Sequence, residues 1–275
     1  MTAPGKKPVL VRQVFAEDLE REFAIIRSAI DRYPFVSMDT EFPGTIFKQD
    51  KNLIHQADPA INYLFMKSNV DALRIIQLGL TLSDSQGNLP DFNTPYCYVW
   101  EFNFKDFDFE RDCYDKESIK LLKMQGIDFV KNKKKGIDSK NFAKKILASG
   151  LVFSSLTWIT FHGAYDFGFL MKILTQHELP YDVNSFMAQL VYFFGYKIYD
   201  IKHTFRFFGL HGGLEKVAKL LNVARLTGVS HQAGSDSLLT LQCLMELKQS
   251  KVFDRINYNR MLPALALYGL VTVLG

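Results

Sequence analysis

The sequence predicts an α/β fold with a central mixed β-sheet, flanking α-helices and a helix-rich C-terminal half. This prediction depends on three strand-like segments near the start of the chain, further alternation of strand and helix patterns, and dominant helical periodicity later on. The 275 residues are 48% hydrophobic and 23% charged, so the chain can bury a large core and is not disordered. We expect a single domain over 1–275, with 1–10 as a flexible N-terminal segment.

The first two elements are expected to be a helix and a strand. Residues 13–33 predict an amphipathic helix, because apolar residues recur there at spacings of three and four before Pro34 interrupts the pattern. Residues 35–42 predict a strand, in which Asp39 and Glu41 project from the same face because side chains alternate along a strand.

The later elements follow from the same two periodicities. Further strands are expected at 74–82, 95–104 and 155–161. Further helices are expected at 60–73, 117–125 and 138–149, from about 164, and at 184–194, 214–221 and 235–248. Three polar segments are expected to connect these elements: 48–59, whose role stays open, the hairpin loop 83–94 and the lysine-rich link 131–135.

Composition also limits the class of protein. No apolar run reaches the roughly 18 residues of a membrane-spanning helix, and the N-terminus lacks the apolar region of a signal peptide. Cys97, Cys113 and Cys243 show no metal-ligand spacing, and an odd number of cysteines suits a reducing compartment. The apolar end, 271–275, is expected to dock on the body or to contact a partner.

The net charge of +4 permits a polyanionic partner without demanding one. Lysines cluster in one region, with two interpretations: a solvated loop and exposed helix face, or a contribution to binding nucleic acid or a partner protein. The clustered residues are Lys131, Lys133, Lys134, Lys135, Lys140, Lys144 and Lys145. Most of the 24 phenylalanines have apolar neighbours and are expected in the core.

Asp39 and Glu41 are the first candidate site residues. Two carboxylates on one face of an otherwise apolar strand repel each other and are costly to bury without compensation. A divalent cation such as Mg²⁺ or Mn²⁺ would compensate both charges through oxygen ligands. The alternative is an edge strand with its acids facing water.

Two later segments add acids and a histidine. Asp166 follows the apolar strand 155–161 and lies in the first turn of the next expected helix, where negative charge is favoured. Asp236 has the same position in the helix expected at 235–248, and His231 stands five residues earlier on a connecting segment. Each feature alone is also typical of an ordinary helix start or surface loop.

Together these residues resemble the DEDDh exonucleases, which have a ribonuclease H-like fold. Four local strings further resemble the Pop/Caf catalytic subunits of the Ccr–Not deadenylase complex, over nearly the whole chain from Val11 to Gly269. They are Asp39-Thr-Glu-Phe-Pro-Gly44, Asn69-Val-Asp-Ala-Leu-Arg-Ile-Ile-Gln-Leu-Gly79, Phe161-His-Gly-Ala-Tyr-Asp-Phe-Gly-Phe169 and His231-Gln-Ala-Gly-Ser-Asp-Ser-Leu-Leu-Thr240.

The resemblance implies two-metal hydrolysis of poly(A) tails from the 3′ end, releasing 5′-AMP. It implies that Asp39, Glu41 and Asp236 hold one Mg²⁺ or Mn²⁺ ion, that Asp39 bridges to a second ion supported by Asp166, and that His231 is the general base. Phe42 and His162 lie beside these ligands and are candidates for substrate contact, with packing or local hydrogen bonding as the alternative.

The same resemblance implies partners and a location. The expected partners are poly(A) RNA, a leucine-rich-repeat nuclease subunit and a large helical scaffold subunit of the Ccr–Not complex, with no membrane. Candidate docking faces are the helix 60–73 and the segment 130–150. The expected location is the cytoplasm, with the nucleus as a second compartment. Two alternatives stay open: a general 3′–5′ exonuclease on other RNA or DNA, and a non-catalytic scaffold of the same fold.

Overall fold

The structure is a computed structural model that describes residues 7–49, 58–205, 211–249 and 265–270. Within these residues, six strands form one mixed sheet. The strands are β1 (Val9–Val14), β2 (Phe35–Glu41), β3 (Gln77–Ser83), β4 (Cys97–Asn103), β5 (Thr157–Thr160) and β6 (Ile198–Asp200). Their order across the sheet is β1-β4-β3-β2-β5-β6, and only β3 runs antiparallel to its neighbours.

The described part of the chain also contains ten helices. They are α1 (Leu19–Ala29), α2 (Pro59–Ala72), α3 (Lys116–Met124), α4 (Phe129–Lys135), α5 (Ser139–Leu147), α6 (Ala164–Thr175), α7 (Val183–Phe194), α8 (Ile201–Phe205), α9 (Leu214–Leu220) and α10 (Ala233–Gln249). The α/β class, the mixed sheet and the helical C-terminal half therefore agree with the sequence prediction. Within the described residues, no helix combines the length and apolar character needed to span a bilayer.

The prediction was wrong at the N-terminus. Residues 13–33 do not form one helix, because β1 ends at Val14 and α1 begins only at Leu19. All six residues of β1 pair in parallel with β4, and this pairing satisfies the backbone N–H and C=O groups that a helix would otherwise satisfy locally. The strand also starts inside the segment 1–10 that was predicted to be flexible. Residues 1–6 of that segment lie outside the described residues.

Three other differences concern short elements. The lysine-rich link is the helix α4, because Asp128 caps its first turn by accepting the backbone N–H of Lys131. The strand β6 and the helix α8 were not predicted from the sequence. Most of the 48–59 loop and all of 271–275 lie outside the described residues.

Two apolar layers cover the sheet. The larger core packs α1, α2, α5, α6 and α7 against one face, and includes the fully buried rings of Phe102, Phe142, Phe167 and Phe186. The second core packs α9 and α10 against the other face. The expectation that phenylalanines build the core is confirmed for these residues. All three cysteines, each within the described residues, are free thiols.

The sheet order places β2 between β3 and β5, so the strand that carries Asp39 and Glu41 is an interior strand. The interpretation of these acids as the solvated side of an edge strand is therefore excluded. Because β2, β5 and β6 are parallel, their carboxyl ends meet at one edge of the sheet. The segments that follow β5 and β6 begin at the same edge.

Candidate active site

Asp39 and Glu41 lie at the carboxyl end of β2, on the face covered by α10. Asp39 is paired in register with Gly79 of β3, and Glu41 with Gln77. The Thr81 and Ser237 hydroxyls, 2.9 Å apart, join the same face of β3 to α10. The two acids therefore share one orientation, as predicted, and project into the layer between the sheet and α10.

Asp166 reaches the site from the first turn of α6, as its sequence position predicted. Its carboxylate accepts a hydrogen bond from the Thr40 hydroxyl, 2.5 Å away. Because Thr40 stands between Asp39 and Glu41, this bond ties the start of α6 to the end of β2. The backbone before α6 is itself fixed, since Asp200 of β6 accepts the N–H groups of His162 and Gly163 at 2.8 and 3.2 Å.

Asp236 and His231 complete the arrangement from α10 and the segment before it. Asp236 lies in the first turn of α10, and its Oδ2 accepts the backbone N–H of His231 at 2.8 Å. Ligand atoms of Glu41, His231 and Asp236 all lie within 4.8 Å of one another. The structure therefore unites residues that are distant in the sequence, with the His231 side chain exposed and the two acids buried.

The electrostatics of the site are unfavourable for four ionised carboxylates. Glu41, Asp166 and Asp236 are only 8%, 6% and 7% exposed. Burial, and then the charges of Asp166, Asp236 and Glu41, raise the pKa of Asp39 well above its ordinary value. Burial and the charges of Asp236 and Asp166 do the same to the pKa of Glu41.

The other two acids share this shift. Burial raises the pKa of Asp166 to about 7 in spite of the hydrogen bond from Thr40. Burial also raises the pKa of Asp236, although the nearby Arg225 opposes the shift. Four carboxyl groups whose ionised form is disfavoured, with an imidazole beside them, constitute an oxygen-rich donor set that fits hard divalent cations such as Mg²⁺ or Mn²⁺. The acids fit a metal site better than a structural ion-pair network.

A cleft of about 550 Å³ opens at the start of α6, where Ala164 and Tyr165 line it. Its wall includes His162 together with the aromatic side chains of Phe47, Phe65, Tyr165 and Tyr268. His162, which was predicted as a candidate for substrate contact, thus lines the cleft. The ring of Phe42, the second candidate, packs on Tyr165 and Phe169 with ring centroids 5.2 and 4.8 Å apart, and so supports the cleft wall from behind.

Sequence reasoning missed two residues that organise the site. Asp200 fixes the turn before α6, and its only signal in the sequence is an acid after the apolar residues of the unpredicted strand β6. Arg225 forms an ion pair with Asp236 at 2.5 Å. In the sequence, Arg225 is marked only as a basic residue six positions before His231. That position does not indicate a role in the site until the tertiary contact with Asp236 is known.

Comparisons with known proteins agree with this geometry. The model of the CAF1 family ribonucleases matches residues 14–148. The chain is 46% identical over 246 residues to the probable CCR4-associated factor 1 homolog 7 of Arabidopsis thaliana, covering 88% of each chain. It is 42% identical over 262 residues to the poly(A) ribonuclease pop2 of Schizosaccharomyces pombe, covering 94% of this chain and 75% of that protein.

Solved structures are similar over nearly the full length. The Mg²⁺- and Mn²⁺-bound form of S. pombe Pop2p superposes with a TM-score of 0.84 at 42% identity, over 94% of this chain and 99% of that one. CAF1 co-crystallised with the yeast NOT1 MIF4G domain gives a TM-score of 0.76 at 31% identity, over 97% and 100% of the two chains. These structures confirm the ribonuclease H-like fold expected from the sequence. The chain belongs to the CAF1 ribonuclease family.

Proposed function

We propose that this chain is a metal-dependent 3′–5′ exoribonuclease that shortens poly(A) tails and releases 5′-AMP, and that 1–275 acts as a single exonuclease domain. The observation that carries the proposal is the meeting of Glu41, His231 and Asp236 within 4.8 Å at the end of an interior strand that also holds Asp39. Such a cluster of acids beside a histidine has no evident structural use, because it raises the free energy of the metal-free fold.

The four acids Asp39, Glu41, Asp166 and Asp236 would hold the divalent cations. When bound, the cations act as Lewis acids, lower the pKa of water and stabilise charge on the phosphate. The chain's own contribution is to fix the donors: Thr40 orients Asp166, and the backbone of His231 orients Asp236. Rigid donors reduce the reorganisation needed during the reaction.

His231 is suited to act as general base. Its side chain is exposed at the opening of the site, while its backbone is held by Asp236. A water oxygen forms a bond to the terminal phosphorus as the bond from phosphorus to the 3′-oxygen of the preceding nucleotide breaks. His231 takes the proton from the water, and the released 3′-oxygen takes a proton from solvent.

The cleft at the start of α6 is suited to the 3′ end of the RNA. Its volume of about 550 Å³ exceeds that of one nucleotide, and its aromatic walls offer faces on which bases can stack. Lys202 lies 3.2 Å from the Nδ1 atom of His162 and supplies positive charge behind the cleft wall. This combination supports the proposal that a chain whose net charge is only +4 binds RNA.

The choice of poly(A) is supported by relatives rather than by the site. The S. pombe relative that covers 94% of this chain is a poly(A) ribonuclease, and its Mg²⁺- and Mn²⁺-bound structure supports the same cations here. The alternative of a non-catalytic scaffold is disfavoured, because all five residues of the catalytic set are present and assembled at one edge of the sheet.

We further propose partners within the Ccr4–Not complex. The similar yeast protein was crystallised with the NOT1 MIF4G domain, which supports a large scaffold subunit as one partner. A leucine-rich-repeat nuclease is the second proposed partner. The two predicted docking faces both expose apolar side chains: Ile61 and Leu64 on α2, and Val130 and Leu147 in the region of α4 and α5.

A labelled RNA with a heteropolymer followed by a 3′ oligo(A) tract tests the activity. We expect a ladder of single-nucleotide steps from the 3′ end, accumulation at the heteropolymer boundary, 5′-AMP as product, loss of cleavage in EDTA, and recovery with Mg²⁺ or Mn²⁺. Cleavage that persists undiminished in excess EDTA would contradict the metal site. Unimpeded digestion through the heteropolymer would favour a general 3′–5′ exonuclease.

A further inference from the structure

Arg225 occupies a central place among the segments that build one side of the site. It lies between α9 and α10, and its side chain is 14% exposed. Its guanidinium forms an ion pair with Asp236 at 2.5 Å. It also binds Glu215 of α9 and the hydroxyl of Ser235, and contacts the carbonyl oxygen of Val229 at 3.3 Å. One half-buried side chain thus joins two helices and the segment between them.

The contacts of Asp236 divide between Arg225 and the backbone of His231. Oδ1 of Asp236 accepts from Arg225, whereas Oδ2 accepts the N–H of His231 at 2.8 Å. The carboxylate is therefore fixed in rotation, and the position of His231 is fixed relative to it. Because Glu41, His231 and Asp236 lie within 4.8 Å of one another, a rotation of Asp236 would alter the geometry of the whole group.

The backbone at His231 needs such support. His231 has a φ of 62°, in the left-handed region that costs a non-glycine residue roughly 1–2 kcal/mol. A strained residue on a connecting segment persists only where surrounding contacts hold it. Arg225 supplies these contacts at two points, on the carbonyl of Val229 and, through Asp236, on the N–H of His231.

We propose that Arg225 is a positioning residue for the metal-binding and catalytic groups, acting through Asp236 to fix both this carboxylate and His231. The inference rests on the proposed nuclease function, and it adds a residue that neither binds the cations nor touches the substrate. The planar guanidinium is required because it reaches Glu215, Ser235 and Asp236 at once, which a single ammonium group cannot do in the same geometry.

Isothermal titration calorimetry of the protein with Mn²⁺ alone tests the inference independently of turnover. We expect Arg225→Gln to weaken Mn²⁺ binding about 10- to 100-fold, the range found when residues that orient metal ligands are removed. Arg225→Lys should recover less than half of this loss on a logarithmic scale, although it keeps the charge. With oligo(A) RNA, kcat should fall at least tenfold for Arg225→Gln, while KM should change less than about twofold.

The double variant with Asp236→Asn shows whether Arg225 acts through Asp236. In that background, we expect Arg225→Gln to change Mn²⁺ affinity less than about twofold. Arg12→Gln is the matched control, because it removes an arginine of β1 that forms two hydrogen bonds to the buried Glu22 of α1, on the face of the sheet opposite to α10. It should lower thermal stability without changing Mn²⁺ affinity or the kcat of the folded protein.

The outcomes separate this inference from the proposed function. Absence of saturable Mn²⁺ binding to the wild-type protein would overturn both. Tight binding by the wild type with equally tight binding by Arg225→Gln would overturn only the role of Arg225. Equal losses in the wild-type and Asp236→Asn backgrounds would also overturn it, because Arg225 would then act by another route. If Arg225→Gln does not fold by circular dichroism, the same comparisons apply to Arg225→Lys.

Discussion

Gly79 controls how closely α10 approaches the sheet, and its substitution tests the geometry of the site directly. A Cβ atom added to Gly79 would lie 1.9 Å from the carbonyl oxygen of Ala233 and 2.6 Å from the backbone nitrogen of Gly234. Real Cβ contacts essentially never fall below 3.0 Å. Gly79→Ala therefore requires the helix start and the strand to separate by at least about 1.1 Å.

Either direction of this movement disturbs the candidate site. If α10 moves, Asp236 moves with it, because it lies in the same first turn as Ala233. If β3 moves instead, it displaces the strand partner of Gly79, which is Asp39. A misplacement of about 1 Å at a reacting centre can reduce the rate about 100-fold. We expect a loss of that order in kcat.

The assay compares single-turnover cleavage of labelled oligo(A) RNA by the wild type, Gly79→Ala and Gly213→Ala. Gly213 is the matched control, since a Cβ there has no heavy atom within 4 Å and the φ of −83° suits alanine. Circular dichroism and thermal melting establish that each variant is folded. A folded Gly79→Ala protein with activity within twofold of the wild type would refute the close packing of α10 on β3 as the source of the site geometry.

Three further predictions follow from individual side chains. Asp39→Ala should reduce nuclease activity at least 1000-fold while circular dichroism shows that the fold is retained. The control Asp31→Ala, at an exposed acid, should leave activity unchanged. Equal activity of Asp39→Ala and the wild type would contradict the site. His231→Ala should lower kcat about 100-fold or more with little change in RNA affinity. Comparable losses in kcat and in RNA affinity would contradict the assignment of His231 as general base. Lys172→Met should cost at least about 2 kcal/mol of unfolding free energy, because Lys172 donates to the carbonyls of Val70, Asp71 and Leu73. Burial lowers the pKa of Lys172 to about 8 from 10.5, so the unfolded chain binds more protons between these values. The wild type should therefore gain stability relative to Lys172→Met as pH rises from 8 to 10, measured by urea unfolding; parallel pH profiles would contradict this.

The acids of the site could be predicted from the sequence because local rules determine their orientation. Alternation along a strand places Asp39 and Glu41 on one face, and the dipole at a helix start favours Asp166 and Asp236. The structure agrees with each of these local statements. Their convergence required the resemblance to a known family, since periodicity alone does not give the order of strands in a sheet.

The parts that were missed depend on partners distant in the chain. The strand β1 was divided between two predictions, because its first residues fell in the segment expected to be flexible and its last two in the expected helix 13–33. Only pairing with β4, more than 80 residues away, identifies it as a strand. In the same way, Arg225 carries no local pattern, and its importance appears only when α9 and α10 are brought together. Propensity near such segments is overridden by tertiary contacts.

The buried and half-buried acids of this protein fall into two groups according to how their charge is stabilised. Asp200 accepts backbone N–H groups from four residues, including His162 and Gly163, and Glu101 accepts the N–H of Gly234 and side-chain amides of two glutamines. By contrast, the described residues provide no hydrogen bond or ion pair to the carboxylates of Asp39 and Glu41. A chain that satisfies its structural acids so fully would gain stability by satisfying these two as well. That it leaves them to face Asp166 and Asp236 indicates that their missing partners are cations taken from solution.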